Sequence, residues 1–318
     1  MIVPLLWCCL APASAVAQSE PEKLIEAGHW KQARAIVEPW IRAKPNDPLA
    51  NFLLSQIRNA FGDRQSPLPL AEKAVQLDGG TAKYHRQLAE VLGVTAQYSG
   101  MLRQLFLARR FKKEIDTALA LDPKDLQALG DLMEFYLLAP GIAGGDREQA
   151  RAVADRIARI DAAAGFSAQA RFGNAEAFLR KAVDAQPGNY RARVALANYY
   201  LAASHRNDGL AEQQGREALR IDPARMDAYA VLATIDAARS DWTDMENVLA
   251  TAEKEVPDDL TPYYRAAQAI LAQHRELPRA ERLLRKYLAA EPEGNAPTRA
   301  DAQKLVVLVG QALSPGVT

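Results

Sequence analysis

Four histidines, two cysteines and one glycine-rich turn are the residues whose types could do chemistry, and their spacing points away from it. His29, His85, His205 and His274 are scattered along the chain. None has a second histidine one helical turn away, as an H-E-x-x-H zinc site requires. His29 and His274 fall at turns, and His85 and His205 fall where a helix surface is expected. Cys8 and Cys9 are adjacent near the start of the chain. If the leading segment is removed, no thiol remains for a disulfide, a nucleophile or a soft metal. The run Pro140-Gly141-Ile142-Ala143-Gly144-Gly145-Asp146 has the look of a phosphate loop. Such a loop needs Lys-Ser/Thr after its last glycine. Asp146-Arg147 stands there instead, and Asp146 reads as a helix N-cap. Asp258-Asp259 lacks a second group to share acid–base work and reads as a cap for the helix that follows. The expectation is a non-enzyme with no metal and no cofactor.

One charged run stands out. Arg103, Arg109, Arg110, Lys112 and Lys113 lie on a helix whose apolar stripe is traced by Met101, Leu105, Ala108, Phe111 or Lys112, Ile115 and Ala118. It reads either as a solvated basic face or as a docking patch for an acidic partner or an anionic membrane surface. The chain as a whole is balanced, with 39 basic and 39 acidic residues. That balance argues against nucleic acid as the main partner, because neutralising phosphates needs excess cation.

The elements behind these residues repeat. Eight times, a small or apolar residue is followed twelve places later by a helix-stopping residue: Ala33/Pro45, Pro67/Gly79, Phe111/Pro123, Ala150/Ala162, Ala175/Pro187, Ala211/Pro223, Met245/Pro257 and Ala280/Pro292. Apolar residues at helical spacing lie between, such as Val37 and Trp40, or Leu249 and Ala252. Nine residues past a stop comes a second anchor, usually leucine then a small residue: Leu54-Ser55, Leu88-Ala89, Leu132-Met133, Leu196-Ala197, Leu232-Ala233 and Ala266-Ala267. Each unit is therefore a helix pair, A then B, that turns at the proline. No alternating strand pattern of useful length occurs. The spacing predicts about seventeen helices and no sheet.

These residues resemble the tetratricopeptide-repeat family. The resemblance is carried by Gly28-His29-Trp30 with Ala33, Val37 and Pro45, and by Tyr229, Leu232-Ala233, Asp241-Trp242, Leu249, Ala252 and Pro257. It implies an all-α, right-handed solenoid of about eight units whose A helices line a concave groove. It also implies binding of a protein or peptide partner. The set of lysine, arginine and asparagine with which some members hold a carboxylate terminus is absent from the groove-facing positions. A lengthened third unit and the Ala-Pro-Gly-Ile-x-Gly-Gly turn are similar to features of some bacterial envelope repeat proteins.

The expected organisation is a cleavable signal over residues 1–17, a solenoid over 18–296 and a capping helix with a tail over 297–318. Units end near 45, 79, 123, 162, 187, 223, 257 and 292. Val3–Leu10 is apolar, and Ala15-Val16-Ala17 is a signal-peptidase pattern, which gives cleavage after Ala17 and a periplasmic or secreted protein. The fifth unit is nine residues short, so its A helix is a stub around Ala163–Arg171 with Gly173 near the turn. The third and fourth units carry ten and five extra residues at the A–B turn, with Gly100 near the tip of the first insertion. Insertions on one edge often mark a working surface. Thr298 and Asp301 begin a final helix, Arg299–Leu313.

The leading expectation is an exported, non-enzymatic scaffold that holds a protein or peptide in its groove and along this extended edge. Its groove contacts are Phe52, Gln56, Arg86, Glu90, Glu134, Arg191, Asn198, Thr234, Tyr264 and Gln268. A second reading is a small-molecule-binding protein serving a transporter, with Tyr199, Tyr200, Tyr263 and Tyr264 around one apolar cavity.

Overall fold

The computed structural model describes residues 19–313. The signal segment, its cleavage point, Cys8 and Cys9 lie outside the described residues. Within them the chain forms seventeen α-helices and no strand. The A/B pairs run in order: α1 (Glu20–Ala27) and α2 (Trp30–Ala43), α3 (Pro48–Ala60) and α4 (Pro67–Leu77), α5 (Ala82–Gln97) and α6 (Met101–Leu121), α7 (Leu126–Leu138) and α8 (Arg147–Ile160), α9 (Ala162–Gln169) and α10 (Ala175–Ala185), α11 (Tyr190–Leu201) and α12 (Asp208–Ile221), α13 (Met226–Arg239) and α14 (Trp242–Glu255), then α15 (Thr261–Ala272) and α16 (Leu277–Ala289). Helix α17 (Arg299–Leu313) closes the series.

The unit-to-unit turns show why the stop recurs. At Pro45, Pro123 and Pro187 the stopping proline sits two residues before an Asp or Asn that caps the next A helix. Asp47 accepts from the backbone N–H of Ala50 (3.0 Å), Asp125 from Gln127 (2.9 Å) and Ala128 (3.0 Å), and Asn189 from Ala192 (3.1 Å). Before the proline, Asp122 and Asp222 accept from Lys124 and Ala224, each at 3.0 Å. One short segment thus ends a helix, reverses the chain and satisfies the first free N–H groups of the next helix.

The small residues of the repeat are the contact points between helices. Ala33, Ala71, Ala74, Ala118, Ala150, Ala182, Ala211, Ala218 and Ala280 have no exposed surface. A closer approach still is made by Gly165 in α9, where a Cβ would overlap the Ala158 Cα in α8. Asp161 stands alone between these two helices and caps α9 through Ala164 N–H (2.8 Å). The half-length A helix therefore lies hard against its neighbour. A short 3-10 turn over Ala170–Phe172 and Gly173 at φ 128° lead directly into α10.

The solenoid returns to its own start. The Lys31 N–H donates to Glu293 Oε1 at 2.8 Å, across 262 residues of sequence. Lys31 Nζ donates to the carbonyls of Asp258 and Glu291. Arg34 forks onto Glu291 at 2.9 and 2.6 Å and lies over the Phe61 ring, 4.4 Å from its centroid. The Asn295 N–H donates to the Ala60 carbonyl at 2.8 Å. Gly294 packs face-on against Trp30, so closely that a Cβ there would fall 2.5 Å from the indole. The described chain is a closed ring, clasped where α2 meets the segment after α16.

Helix α17 continues from this clasp. Thr298 Oγ1 donates to Asp301 Oδ2 (2.6 Å), and Asp301 N–H donates back to Thr298 Oγ1 (3.1 Å). Arg299 donates to the Leu288 and Ala290 carbonyls at the open end of α16. Ala302 and Val309 are fully buried against the last pair, which is the covering a solenoid end requires.

Candidate functional site

Closure of the ring creates a cavity of about 690 Å³. Its walls are successive A helices, with Asn198 from α11, Ala230 and Thr234 from α13, and Arg265 and Gln268 from α15. The floor is the α1–α2 turn at Gly28–Trp30 and the Gly294–Pro297 segment. Asn198 and Gln268 are exposed into this space. Gln268 Oε1 accepts from Arg265 (3.1 Å), and Thr234 donates to the Ala230 carbonyl (2.7 Å). Arg225 enters the same space and stacks on Tyr190 at 4.4 Å, with its Nε buried and unpaired. The lining combines amides, two guanidiniums and the carboxyls of Glu26, Asp227 and Asp259. Such a mixture offers both donors and acceptors to an extended peptide backbone.

The carboxyls at the clasp are held at unusual affinity for protons. Burial pushes Glu293 up to about 7, against the pull of two backbone N–H groups and Lys31. Those N–H donors, from Lys31 and Gly294, both use Oε1, so Oε2 is left unpartnered. Burial also raises Asp259 above the usual carboxylate range. Arg34, forking onto Glu291, holds that carboxyl below its usual value.

The sequence-derived contacts separate into four groups. Asn198, Thr234 and Gln268 line the cavity together. Gln56 is half-buried and Arg191 is exposed, and neither borders it. Arg86, Glu90 and Glu134 form a second polar cluster, on α5 and α7. Arg86 pairs with Asp125 (3.3 Å), Glu90 accepts from Asn59 (2.9 Å), and Glu134 forks with Arg171 (2.7 and 2.8 Å). Asp131, which spacing did not single out, belongs to this cluster. Its burial, with the nearby charge of Glu90, pushes it up to about 7.

Two of the groove contacts are corrected, as are the tyrosine cavity and the surface reading of His85. Phe52 is 2% exposed and packs on Tyr84, with ring centroids 5.1 Å apart, so it is core. Tyr264 is 7% exposed and packs on Tyr287 at 5.5 Å, so it offers no surface to a partner. The four tyrosines of the second reading share no cavity either. Tyr200 bonds Glu176 and Arg180, Tyr263 bonds Glu253, and Tyr199 stacks on His205 at 4.3 Å. His85 is buried, held between Glu114 (2.7 Å) and the Gly79 carbonyl (3.0 Å), and does not line a surface.

The extended edge is built as its insertions require. Gly100 is the N-cap of α6, which has 21 residues where α8, α12 and α14 have 14. Of its basic residues, Arg110 pairs with Glu72 (2.8 Å) and Lys112 with Asp116 (2.6 Å). The side chains of Arg103, Arg109 and Lys113 make no ion pair among the described residues. The Gly141–Ala143 turn packs against α6. Asp146 caps α8 through Glu148 N–H (2.9 Å), which disposes of the phosphate-loop look of that run.

No protein-family model matches the sequence, and no curated protein matches it. Solved structures do match in shape. Yeast Tom70 superposes with a TM-score of 0.56 at 15% identity, over 96% of this chain and 66% of that one. The chain thus spans just under two thirds of that protein's length. A tetratricopeptide-repeat protein from Parabacteroides merdae matches over 91% of this chain and 96% of its own, at 15% identity and a TM-score of 0.43. One from Thermus thermophilus matches over 71% and 100%, at 18% identity and a TM-score of 0.39. At these identities the likeness concerns fold, and the Tom70 superposition is what carries it. Taken with the eight successive helix pairs, it shows that this chain folds as a tetratricopeptide-repeat solenoid.

Proposed function

We propose that the chain is a non-enzymatic protein–protein interaction scaffold, exported to a bacterial envelope, that holds a peptide segment of its partner inside the ring. The observation that carries this reading is the cavity into which Asn198, Thr234 and Gln268 project from three consecutive A helices. Amides on successive helices suit an extended chain, because its N–H and C=O groups alternate and each can be met by one carboxamide. The edge of the third and fourth units serves as a second contact surface. Export is supported by the Ala15-Val16-Ala17 pattern alone. The small-molecule reading gains no support from its tyrosines, since Tyr199 and Tyr200 pack edge-on at 5.5 Å while Tyr263 bonds Glu253 and Tyr264 packs on Tyr287.

A photo-crosslinking amino acid at Asn198 tests the proposal against the same residue placed at Arg216, on the exposed face of α12. In envelope extract, Asn198 is expected to yield a discrete adduct that Arg216 does not. Replacing Gln268 with alanine should weaken that adduct about tenfold, the effect of losing one buried carboxamide pairing. Equal labelling from both positions would remove the cavity as the binding site. An N-terminus at Gln18 on the protein recovered from the periplasm is the accompanying expectation for export.

A further inference from the structure

Six large apolar side chains are exposed on the extended edge: Tyr98, Met101, Leu102, Phe106, Leu138 and Ile142. They are half of the large exposed apolar residues among the described ones, gathered at one place. Met101, Leu102 and Ile142 are 78%, 84% and 80% exposed. Four of the six sit at the α5–α6 tip. The other two end α7 and occupy the Gly141–Ala143 turn, which packs against α6. Phe111 of α6 stacks on Phe135 of α7 at 5.2 Å, so these consecutive helices lie side by side as they approach the edge. An apolar cluster of this kind is not explained by solubility or by packing within the chain.

The charge along the tip's own sequence has one sign. From Val91 to Lys113 the sequence contains no acidic residue and five basic ones. Arg103, Arg109 and Lys113 make no ion pair among the described residues, and Arg64 caps the Tyr98 ring at 3.9 Å. The geometry is a protrusion rather than a groove. Helix α6 exceeds an ordinary B helix by seven residues and α5 exceeds an ordinary A helix by three, since α3 and α7 have 13 and α5 has 16. At 1.5 Å per residue the tip stands about 5–10 Å proud of its neighbours. That is about the depth to which an apolar face sinks between lipid headgroups and acyl chains.

We infer that the α5–α6 tip docks the protein on an anionic lipid bilayer, with Met101, Leu102 and Phe106 inserted at the headgroup boundary and Arg103, Arg109 and Lys113 against the lipid phosphates. An acidic protein would match the cations but not the projecting apolar tip. A hydrophobic groove of another protein would match the tip but not the surrounding positive charge. A bilayer rich in anionic lipid presents both, one behind the other. Each free cation contributes about fivefold in affinity at low salt, and the attraction is screened as salt rises. The inference rests on the edge being a contact surface and is independent of what the cavity holds.

The full chain is tested by co-sedimentation with vesicles of phosphatidylglycerol and phosphatidylcholine in about equal parts, and with phosphatidylcholine alone. Binding to the anionic vesicles is expected to be at least about tenfold tighter and to weaken with salt. Replacing Met101, Leu102 and Phe106 together by serine should lower it by at least about tenfold at any salt. Replacing Arg103, Arg109 and Lys113 by glutamine should lower it mainly at low salt. In a Phe106→Trp chain, lipids brominated in the acyl region should quench the added emission. The inference is overturned if the serine variant, shown folded by its helical circular dichroism, binds vesicles as the parent does. It is also overturned if polyglutamate displaces the vesicles from parent and serine variant alike, the result an acidic protein site would give. The Asn198 crosslink is read separately, so failure of the bilayer docking leaves the cavity reading standing, and the reverse.

Discussion

Replacing Gly294 with valine should open the ring without unfolding it. The new Cβ would lie 2.5 Å from Trp30 Cγ and 2.7 Å from its Cβ, so either the indole or the Gly294 segment must leave. Overpacking of this kind costs about 1–3 kcal/mol. What opposes it is modest. The Arg34–Glu291 fork is half exposed on the carboxylate side, and such pairs contribute about 1 kcal/mol or less. The remaining contacts are the hydrogen bonds of Lys31, Gln32 and Asn295. In a solenoid each unit is stabilised by its own neighbours, so losing one extra interface leaves the rest folded. The expected result is a rise in the solution radius of gyration on the order of 2 Å, with helical content unchanged. Amide exchange should accelerate at α1, α2 and residues 291–296, and not at α5–α8. Arg34→Glu, which sets a carboxylate against Glu291, should act in the same direction more weakly. Scattering curves that superpose for parent and both variants would mean that the clasp does not hold the ring in solution.

The same glycine marks what the sequence could and could not convey. The repeat was legible because it is local: a helix-stopping residue, most often proline, and small residues at fixed offsets recur within each unit. The stub at α9 was legible because nine residues were missing between two stops, and the long α5–α6 pair because ten were extra. Ring closure was not legible. It is the sum of small rotations between successive units, and no residue near Gly294 in sequence announces Trp30 as its neighbour. The groove was half legible for a related reason. Asn198, Thr234 and Gln268 each lie two residues past the buried anchor of their A helix, and all three face the cavity. Phe52 and Tyr264 lie one helical turn earlier on the same face, yet Tyr84 and Tyr287 cover them. Which turn of an A helix stays open depends on the tilt of the next unit, and periodicity within a helix carries no record of that tilt. The exposed state of Met101 and Leu102 could have been suspected from an insertion that lengthens a helix past its neighbours, since nothing remains beside it to cover them.

The polar cluster on α5 and α7 should make stability depend on pH in the opposite sense to an ordinary ion pair. Asp131 is pushed up to about 7, first by burial and then by the charge of Glu90, with smaller contributions from Asp125 and Glu134, while Arg86 opposes them. Glu90 is raised by its own burial, against Arg86 and Asn59. In the unfolded chain Asp131 returns to about 3.9. Between that value and about 7 the folded state binds more protons than the unfolded one, so folding stability falls as pH rises across this window and levels off above it. The difference between the two values sets a ceiling of about 4 kcal/mol at pH 8. Asp131→Asn keeps the shape of the side chain and cannot ionise. It should therefore raise the midpoint of urea unfolding at pH 8 and leave it nearly unchanged at about pH 4, where the parent carboxyl is protonated when folded and about half so when unfolded. Glu293 at the clasp, also held at about 7 by burial, follows the same sign. The two are separated by repeating the titration in the Gly294→Val chain, where the clasp is open and the Asp131 effect should persist. A midpoint for Asp131→Asn that is equal to the parent's at pH 8, or lower, would show that Asp131 is ionised at no cost, with Arg86 compensating it fully.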